Sequence, residues 1–589
     1  MTPEVLFVNL PPYESYYAEK VPHLGLLYVL TSLRDHGYAV DYFDCAQRGI
    51  NGGEIVAKIR EAAPKIIGFS VDTDNLFAVG HFSHRLRREL GPDLKIIVGG
   101  PASQGQPDEI MQRIPADVLV IGEGEHSACE VVDCLLRGQG RLGDIKGICY
   151  RSPIGAVIHN APRLPIDDLD SLPFPDRSFL SDPLSYQATM ISGRGCPFKC
   201  TFCFEGRMGN RYRHRSPQNI VAEMEQLLTA YGQVFVSIND DTFTSEPEHT
   251  LEVCRLIRER LRPKEDFRWF CEVRVDIVDR HPELVEAMAE AGVSRIQIGV
   301  ESADEDVLRA YKRLNVKPAV VERVVKAFHQ AGVPSIYCGF IMGGPRETTS
   351  TIARTTEFAK HLLNDVAPGS FECNASFLTP LPGTDIRANP AAYGIKLLDP
   401  DLLTSSNFNY CTTETDELSL EMINNERYRF VAEMDREMRK LIPTLPWKVI
   451  ETHFRLYQQF SISTAYNERL VCFPRLVEYL HVLRDGQFAR SDDLSNEEIL
   501  ERFPTRLTVP IHMEGGELTV TRGPTVLKLN GLGSRIYGLC SGKLSTAEIV
   551  AELYRSLNGN APSPEVVEAD AIEFVRHLDR NYAVFLKDF

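Results

Sequence analysis

The sequence predicts an α/β protein of several domains. The order is a doubly wound, Rossmann-like domain, a partial (β/α)6 barrel, a helical extension and a small winged-helix-like domain. Three observations carry this. Apolar strand runs alternate with amphipathic helices over residues 1–150, and the same rhythm returns with different content over 185–400. The tail, 505–589, has a hairpin, three helices and a closing strand. At 589 residues the chain has room for three or four domains. A linker at 151–184 and helices within 401–500 join them.

In the first rhythm, strand runs lie at 5–10, 39–43, 65–70, 95–100 and 118–122, with helices at 24–33 and 54–62 between the early ones. Strands this apolar indicate a parallel sheet covered on both faces. The loops at their C-terminal ends should line a ligand crevice. Those loops are rich in small and polar residues: Ser70 and Asp72, Gly99-Gly100, and Gly122-Glu123-Gly124. Glycine lets backbone approach a large flat ligand closely. No G-x-G-x-x-G follows the first strand, which weighs against a dinucleotide. A plain doubly wound domain for a nucleotide, or for no ligand, stays open at this point.

In the second rhythm, strand runs lie at 188–192, 234–238, 268–272, 295–301, 335–341 and 371–377. Six βα units cannot close an eight-stranded barrel, but they make an open one with catalytic groups at the strand C-termini. Polar residues stand at those ends: Asn239-Asp240-Asp241, Glu272 with Arg274, Glu301-Ser302, and the run from Gly339 to Gly344. Rim salt bridges and caps are the structural alternative for each.

Directly after the first of these strands comes Cys196-Pro197-Phe198-Lys199-Cys200-Thr201-Phe202-Cys203. Its C-x-x-x-C-x-x-C spacing supplies three thiolates from one loop. A cubane iron–sulfur cluster normally takes four protein ligands, so one iron would stay open. Zinc, a disulfide and a redox C-x-x-C are the alternatives. No second knuckle completes a zinc set, and the other eleven cysteines, Cys472 among them, lie singly. No signal peptide opens the sequence, which points to the cytoplasm and argues against disulfides.

This loop after a barrel strand resembles the radical S-adenosylmethionine (SAM) superfamily. The resemblance implies that Cys196, Cys200 and Cys203 hold a [4Fe-4S] cluster whose open iron is chelated by SAM. It further implies that Phe202 lies near the adenine and that Asp240 or Asp241 approaches the methionine moiety. Arg274 would pair with the SAM carboxylate, and Ser302, beside Glu301, would meet the ribose or carboxylate. Glu272 carries a second possibility, ligation of iron itself, which would imply a non-radical methyl transfer. An electron donor of flavodoxin or ferredoxin type is implied as well.

The N-terminal rhythm resembles the cobalamin-binding domain found ahead of many radical SAM modules. Many cobalamin domains carry D-x-H-x-x-G. Here the second strand leads into Asp44-Cys45-Ala46-Gln47-Arg48-Gly49, without histidine. The resemblance therefore implies cobalamin bound with no protein imidazole on cobalt. The two domains together imply a cobalamin-dependent radical SAM C-methyltransferase for an unactivated carbon, which offers no lone pair to a polar methyl donor. Relatives with the same two domains also catalyse rearrangement, cyclisation or oxidation, and a small-molecule substrate stays open.

Residues 404–425, with Ser405-Ser406-Asn407, read as a polar boundary, and 418–485 as helices packing on the barrel. An acidic stretch, 491–498, precedes the tail. There a hairpin turning at Arg522-Gly523-Pro524, helices near 533–540, 546–557 and Pro564–Arg580, and a strand at 583–586 follow in order. This resembles the PqqD-like domains that bind leader peptides of ribosomally made natural products. It implies capture of a leader peptide as an added strand; a purely structural copy is the rival. The formal net charge of −17 disfavours nucleic acid, including a tRNA substrate. No apolar run reaches the length of a membrane span.

Overall fold

The computed structural model describes residues 2–10, 21–45, 52–205, 211–262, 266–313, 316–404, 408, 410–460, 465, 489–506, 512–522, 525–557, 562–581 and 583–587. Ala46–Gly49, Ser405–Asn407, Cys472, Gly523-Pro524 and much of the expected helical run up to 485 lie outside these residues.

The first sheet contains β1 (Val5–Asn9), β2 (Val40–Asp44), β3 (Ile66–Ser70), β4 (Lys95–Gly99), β5 (Val118–Val120), β6 (Ile148–Arg151) and β7 (Val157–His159), in the spatial order 2-1-3-4-5-6-7. The first five strands are parallel. The last two form an antiparallel hairpin that the sequence reading did not include. Strand order reverses between β1 and β3, so their loops part and leave a crevice at the C-terminal edge. Gly100 sits beside it with φ +102, and a Cβ there would lie 2.5 Å from Ser70 Oγ.

The second sheet holds β8 (Ala188–Met190), then β11 to β15: Phe235–Ile238, Arg268–Val273, Val293–Glu301, Ser335–Met342 and Phe371–Phe377. All six pair in parallel and in chain order, which gives the open barrel. A small hairpin, β9 (Gly193–Arg194) with β10 (Arg213–His214), flanks the cysteine loop. Helix Leu420–Leu441 contributes Ile423, Phe430, Met434 and Met438 to the barrel core.

Two short strands, β16 (Ile395–Leu397) and β17 (Thr413–Thr415), pair beyond the barrel. In the tail, β18 (Phe503–Arg506) pairs with β22 (Val584–Lys587), and β19 (His512–Glu514), β20 (Glu517–Arg522) and β21 (Thr525–Leu529) form a three-stranded sheet. The three tail helices are Gly531–Leu539, Thr546–Ser556 and Pro564–Arg580. Strand β18 was not foreseen: the reading placed an acidic linker at 491–498 and opened the domain with the hairpin at 518–529. Tail residues and N-terminal-domain residues share one apolar core, and the His81 and Phe503 rings meet at 4.9 Å. The C-terminal domain is thus packed onto the first domain rather than tethered to it.

A buried ion triad closes the free edge of the barrel. Glu223, on helix Pro217–Tyr231, pairs with Arg215 at 2.5 Å and with Arg177 of the linker at 3.2 Å. The two guanidiniums also donate to Thr189 O and Ile191 O at the first strand. All three side chains are at most 6% exposed. Removing one member strands the others' charge in a dry interior. Glu223→Ala should therefore cost about 3–5 kcal/mol, read as a lower denaturant midpoint by tryptophan fluorescence. An unchanged midpoint would show that the triad does not hold this edge.

Candidate active site

The C-terminal ends of the two parallel sheets face one another across a cavity of about 370 Å³. From the first domain it is lined by Phe7, Phe69, Ser70, Gly99, Gly100, Gly122, Glu123, Gly124 and Glu125, and by His23 and Tyr28. From the barrel side come Ile191, Gly193, Arg194, Gly195, Glu205, Arg213 and Asn239-Asp240-Asp241. Residues singled out in both halves of the sequence thus meet in one place. The approach is close: a Cβ on Gly105 of the first domain would lie 2.8 Å from Pro382 O, beyond the last barrel strand, and 3.2 Å from Phe204.

The cysteine loop is pinned from several sides. Thr201 N donates to Tyr311 O at 2.8 Å and Thr201 Oγ1 to Ala310 O at 2.9 Å, at the C-terminal end of helix Glu305–Lys312. Ile386 N donates to Thr201 O. The Arg274 guanidinium lies 3.5 Å from the centre of the Phe198 ring, inside the loop. None of Cys196, Cys200 and Cys203 is in a disulfide, and Cys200 is buried. Burial pushes the Cys196 thiol up to about 11. Burial raises Cys200 as well, and a bound metal would hold the cysteines as thiolates.

The acidic residues at the strand ends divide into two kinds. Asp240 is buried and committed: it accepts from Ser192 N at 2.7 Å, from Ser192 Oγ and from Gly193 N, fixing the turn that leads into the loop. Burial raises its carboxyl to about 6. Asp241 is open to the cavity yet walled by protein, and that burial raises it too. Glu272 is partly buried and accepts from Gln297 Nε2 at 2.9 Å. Burial, then Asp241 and Glu301, push it up to about 7. Glu205 is raised by burial and by Asp241. A cation among these carboxylates would offset their mutual repulsion.

Other expected site residues have partners within the protein. Glu301 sits at φ +63 and pairs with the buried Lys312 at 3.2 Å. Ser302 is fully buried; its Oγ lies 3.2 Å from Thr355 Oγ1 and accepts from Asp304 N, so it braces a helix start instead of facing the cavity. Phe202 packs edge-on against Tyr311 with centroids 5.3 Å apart. Asp72 closes a turn by accepting from Asp74 N and Asn75 N, outside the cavity lining. Arg274 pairs with Asp276 at 2.9 Å.

Several residues at this site escaped the sequence reading. Arg194, two residues before Cys196, pairs with Glu125 at 2.5 Å and Glu123 at 3.4 Å. Arg213 pairs with Glu123 at 2.7 Å, and Ile166 N of the linker donates to the same carboxylate at 2.6 Å. Burial works to raise Glu123, but Arg213 and Arg194 outweigh it and hold it below the usual range. The signal available was charge: Gly122-Glu123-Gly124-Glu125 at one strand end and Arg194 at another.

Glu347 was also missed. It is fully buried on the turn after the fifth barrel strand, and its Oε2 accepts from Gly343 N at 2.6 Å and Gly344 N at 2.8 Å. Burial, against those two hydrogen bonds, pushes it from 4.5 up to about 8. Below the unfolded value both states hold the proton. Between it and about pH 8 only the folded chain does, so stability falls as pH rises through this window. Glu347→Gln should flatten that fall in denaturation series from pH 5 to about 8. An equal slope in the variant would remove Glu347 from this role.

Three family models match the chain: the radical SAM superfamily over residues 190–359, the B12 binding domain over 15–132, and coenzyme PQQ synthesis protein D (PqqD) over 517–584. An uncharacterized methyltransferase of Pyrococcus horikoshii is 29% identical over 392 residues, spanning 64% of this chain and 81% of that protein. The anaerobic magnesium-protoporphyrin IX monomethyl ester cyclase of Rubrivivax gelatinosus is 26% identical over 400 residues, spanning 65% and 69%. The solved structure of the cobalamin-dependent SAM radical enzyme OxsB, with aqua-cobalamin and SAM bound, is similar in fold. Its TM-score is 0.61 at 15% identity, over 98% of this chain and 84% of that one.

Proposed function

This chain is a B12-dependent radical SAM enzyme with a C-terminal PqqD-like domain, and on that premise we propose that it transfers a methyl group to an unactivated carbon of a ribosomally made peptide. Its cofactors are a [4Fe-4S] cluster, S-adenosylmethionine and cobalamin. The residues fit them. Three cysteines outside any disulfide stand on one loop, and the first sheet opens a crevice floored by glycine backbone. The single observation that carries the reading is the shared cavity, which both sheets line at their C-terminal ends.

Bound there, the cluster with SAM supplies a hydrogen-abstracting radical, and cobalamin supplies a transferable methyl group. The protein's part is to hold, orient and exclude water. Cys196, Cys200 and Cys203 would hold the iron and leave one position for SAM. Asp241, which faces the cavity, is the better placed of the two aspartates to meet a cation; Asp240 shapes the loop. Arg274 and Glu272 flank the cluster loop. Gly99, Gly100, Gly122 and Gly124 would bring backbone close to a bound corrin. A donor of flavodoxin or ferredoxin type would supply electrons, in the reducing cytoplasm that the cluster requires. Among the described residues no helix is long and apolar enough to cross a membrane.

The PqqD-like domain supports a peptide substrate by the state of its sheet edges. Strand β19 is covered: Met513 N donates to Asn425 Oδ1 and Asn425 Nδ2 to Met513 O, so one side chain imitates a neighbouring strand. On the other side β21 pairs with β20 alone among the described strands, and Val526 on it is 57% exposed. An extended peptide could add there. Similarity to the Rubrivivax cyclase favours one second reading, a non-methylating oxidative cyclisation.

The test is an anaerobic assay with reductant, SAM, cobalamin and substrate. The expected products are 5′-deoxyadenosine and S-adenosylhomocysteine together, with a gain of one CH₂ in the product; Cys200→Ala should abolish all three. Turnover with no gain of CH₂ selects the second reading. A confirmed substrate consumed without either nucleoside rejects both.

A further inference from the structure

We propose that Arg194, through its paired contacts with Glu125 and Glu123, fixes the spacing between cobalt and the iron–sulfur cluster. The inference rests on the cofactor assignment above. Each cofactor belongs to a different sheet, and the reaction needs both at one cavity. Some contact must therefore set how the two sheets stand to each other at that place.

Arg194 is in position to do so. It lies in β9, two residues before Cys196, and its strand is paired with β10 at Arg213. Its Nη2 meets Glu125 Oε1 at 2.5 Å and its Nη1 meets Glu123 Oε1 at 3.4 Å. Glu125 stands in the first turn of helix Gly124–Val132, whose leading loop, Gly122–Gly124, lines the corrin side. The same guanidinium lies 5.1 Å from the Tyr28 ring, on a second element of the first domain. Arg213 holds Glu123 from behind at 2.7 Å.

The contact is dry and directional. The Glu125 and Arg213 side chains are at most 5% exposed, and Arg194 is 15% exposed. A planar guanidinium addresses two carboxylates at fixed angles, which an ammonium on a flexible stem does not reproduce. Glu125 Oε2 is buried without a hydrogen-bond donor, so the carboxylate is held by Arg194 on one oxygen only. Loosening that one bond frees the helix start that carries the glycine loop. Arg194 is a positioning residue: it acts through the cysteine loop and the glycine loop.

The experiment uses the full chain, reconstituted anaerobically with cluster and cobalamin, and quantified for iron, sulfide and cobalt. The readout is the paramagnetic relaxation of cob(II)alamin by the reduced cluster in EPR, which depends steeply on their separation. In the parent protein we expect a clear enhancement. Arg194→Lys keeps the charge but loses the fork, and Glu125→Gln keeps the shape but loses the charge. Each should retain both cofactors and lose much of the enhancement, with cobalamin binding weakened by ~10-fold. The swap R194E/E125R should restore part of it. Unchanged relaxation in both single variants, or a swap no better than Arg194→Glu alone, would overturn the proposal. A parent protein that takes up no cobalamin or no cluster would instead overturn the cofactor assignment.

Discussion

A guanidinium buried between carboxylates is stable only while the three stay in contact, and Arg194 imposes that condition on the boundary between the two sheets. The rest of the site depends on it. A parallel sheet offers a binding edge because its strand ends leave backbone and loops unpaired there. Two such edges facing each other would ordinarily drift, since neither can pair with the other. Here Glu123 joins the fifth loop of the first sheet, the linker at Ile166 and the hairpin at Arg213. Three segments distant in sequence therefore converge on one carboxylate.

The cysteine loop illustrates the same economy at shorter range. It forms no regular structure, yet its neighbours satisfy it. Asp240 gathers the amides that precede it, and the carbonyls ending helix Glu305–Lys312 take both donors of Thr201. Those carbonyls have no partner inside their own helix, so the loop uses what the helix must discard. Phe198 lies under Arg274, so the apolar side of the loop also faces a fixed group.

Strand periodicity and motif spacing made much of this legible. Phe371–Phe377, Pro217–Tyr231 and Pro564–Arg580 occur where the pattern placed them, because buried strands and amphipathic helices write their environment into residue spacing. The β6–β7 hairpin escaped because it lies on the sheet's edge, where Ile158 is exposed and the apolar run breaks. Ser302 illustrates a different limit: a serine after a strand can face a ligand or brace a turn, and its Oγ here lies against Thr355, more than fifty residues on. Asp240 and Asp241 are neighbours with identical chemistry, yet Asp240 is taken up by Ser192 and Gly193 while Asp241 is exposed toward the cavity. The Arg194 network needs two domains in register, which no local pattern encodes.

The C-terminal domain extends that logic. Arg506 donates to Thr404 O at 2.7 Å, Ser541 to Leu403 O, and Lys543 to Leu402 O at 2.8 Å, three donors on three successive carbonyls of the segment leaving the barrel. Lys543 also lowers the carboxyls of Asp72 and Asp74, which burial raises, in the loop that follows β3. A domain meant only to tether a peptide could hang on a flexible linker. This one shares an apolar core with the first domain and clamps the barrel's exit. A peptide added to β21 would then be held at a fixed distance from the cavity. The covered edge at Asn425 leaves β21 as the side on which a new strand can form. Among the described strands, β21 is the uncovered edge of this three-stranded sheet, and the docking fixes where that edge stands relative to the cavity.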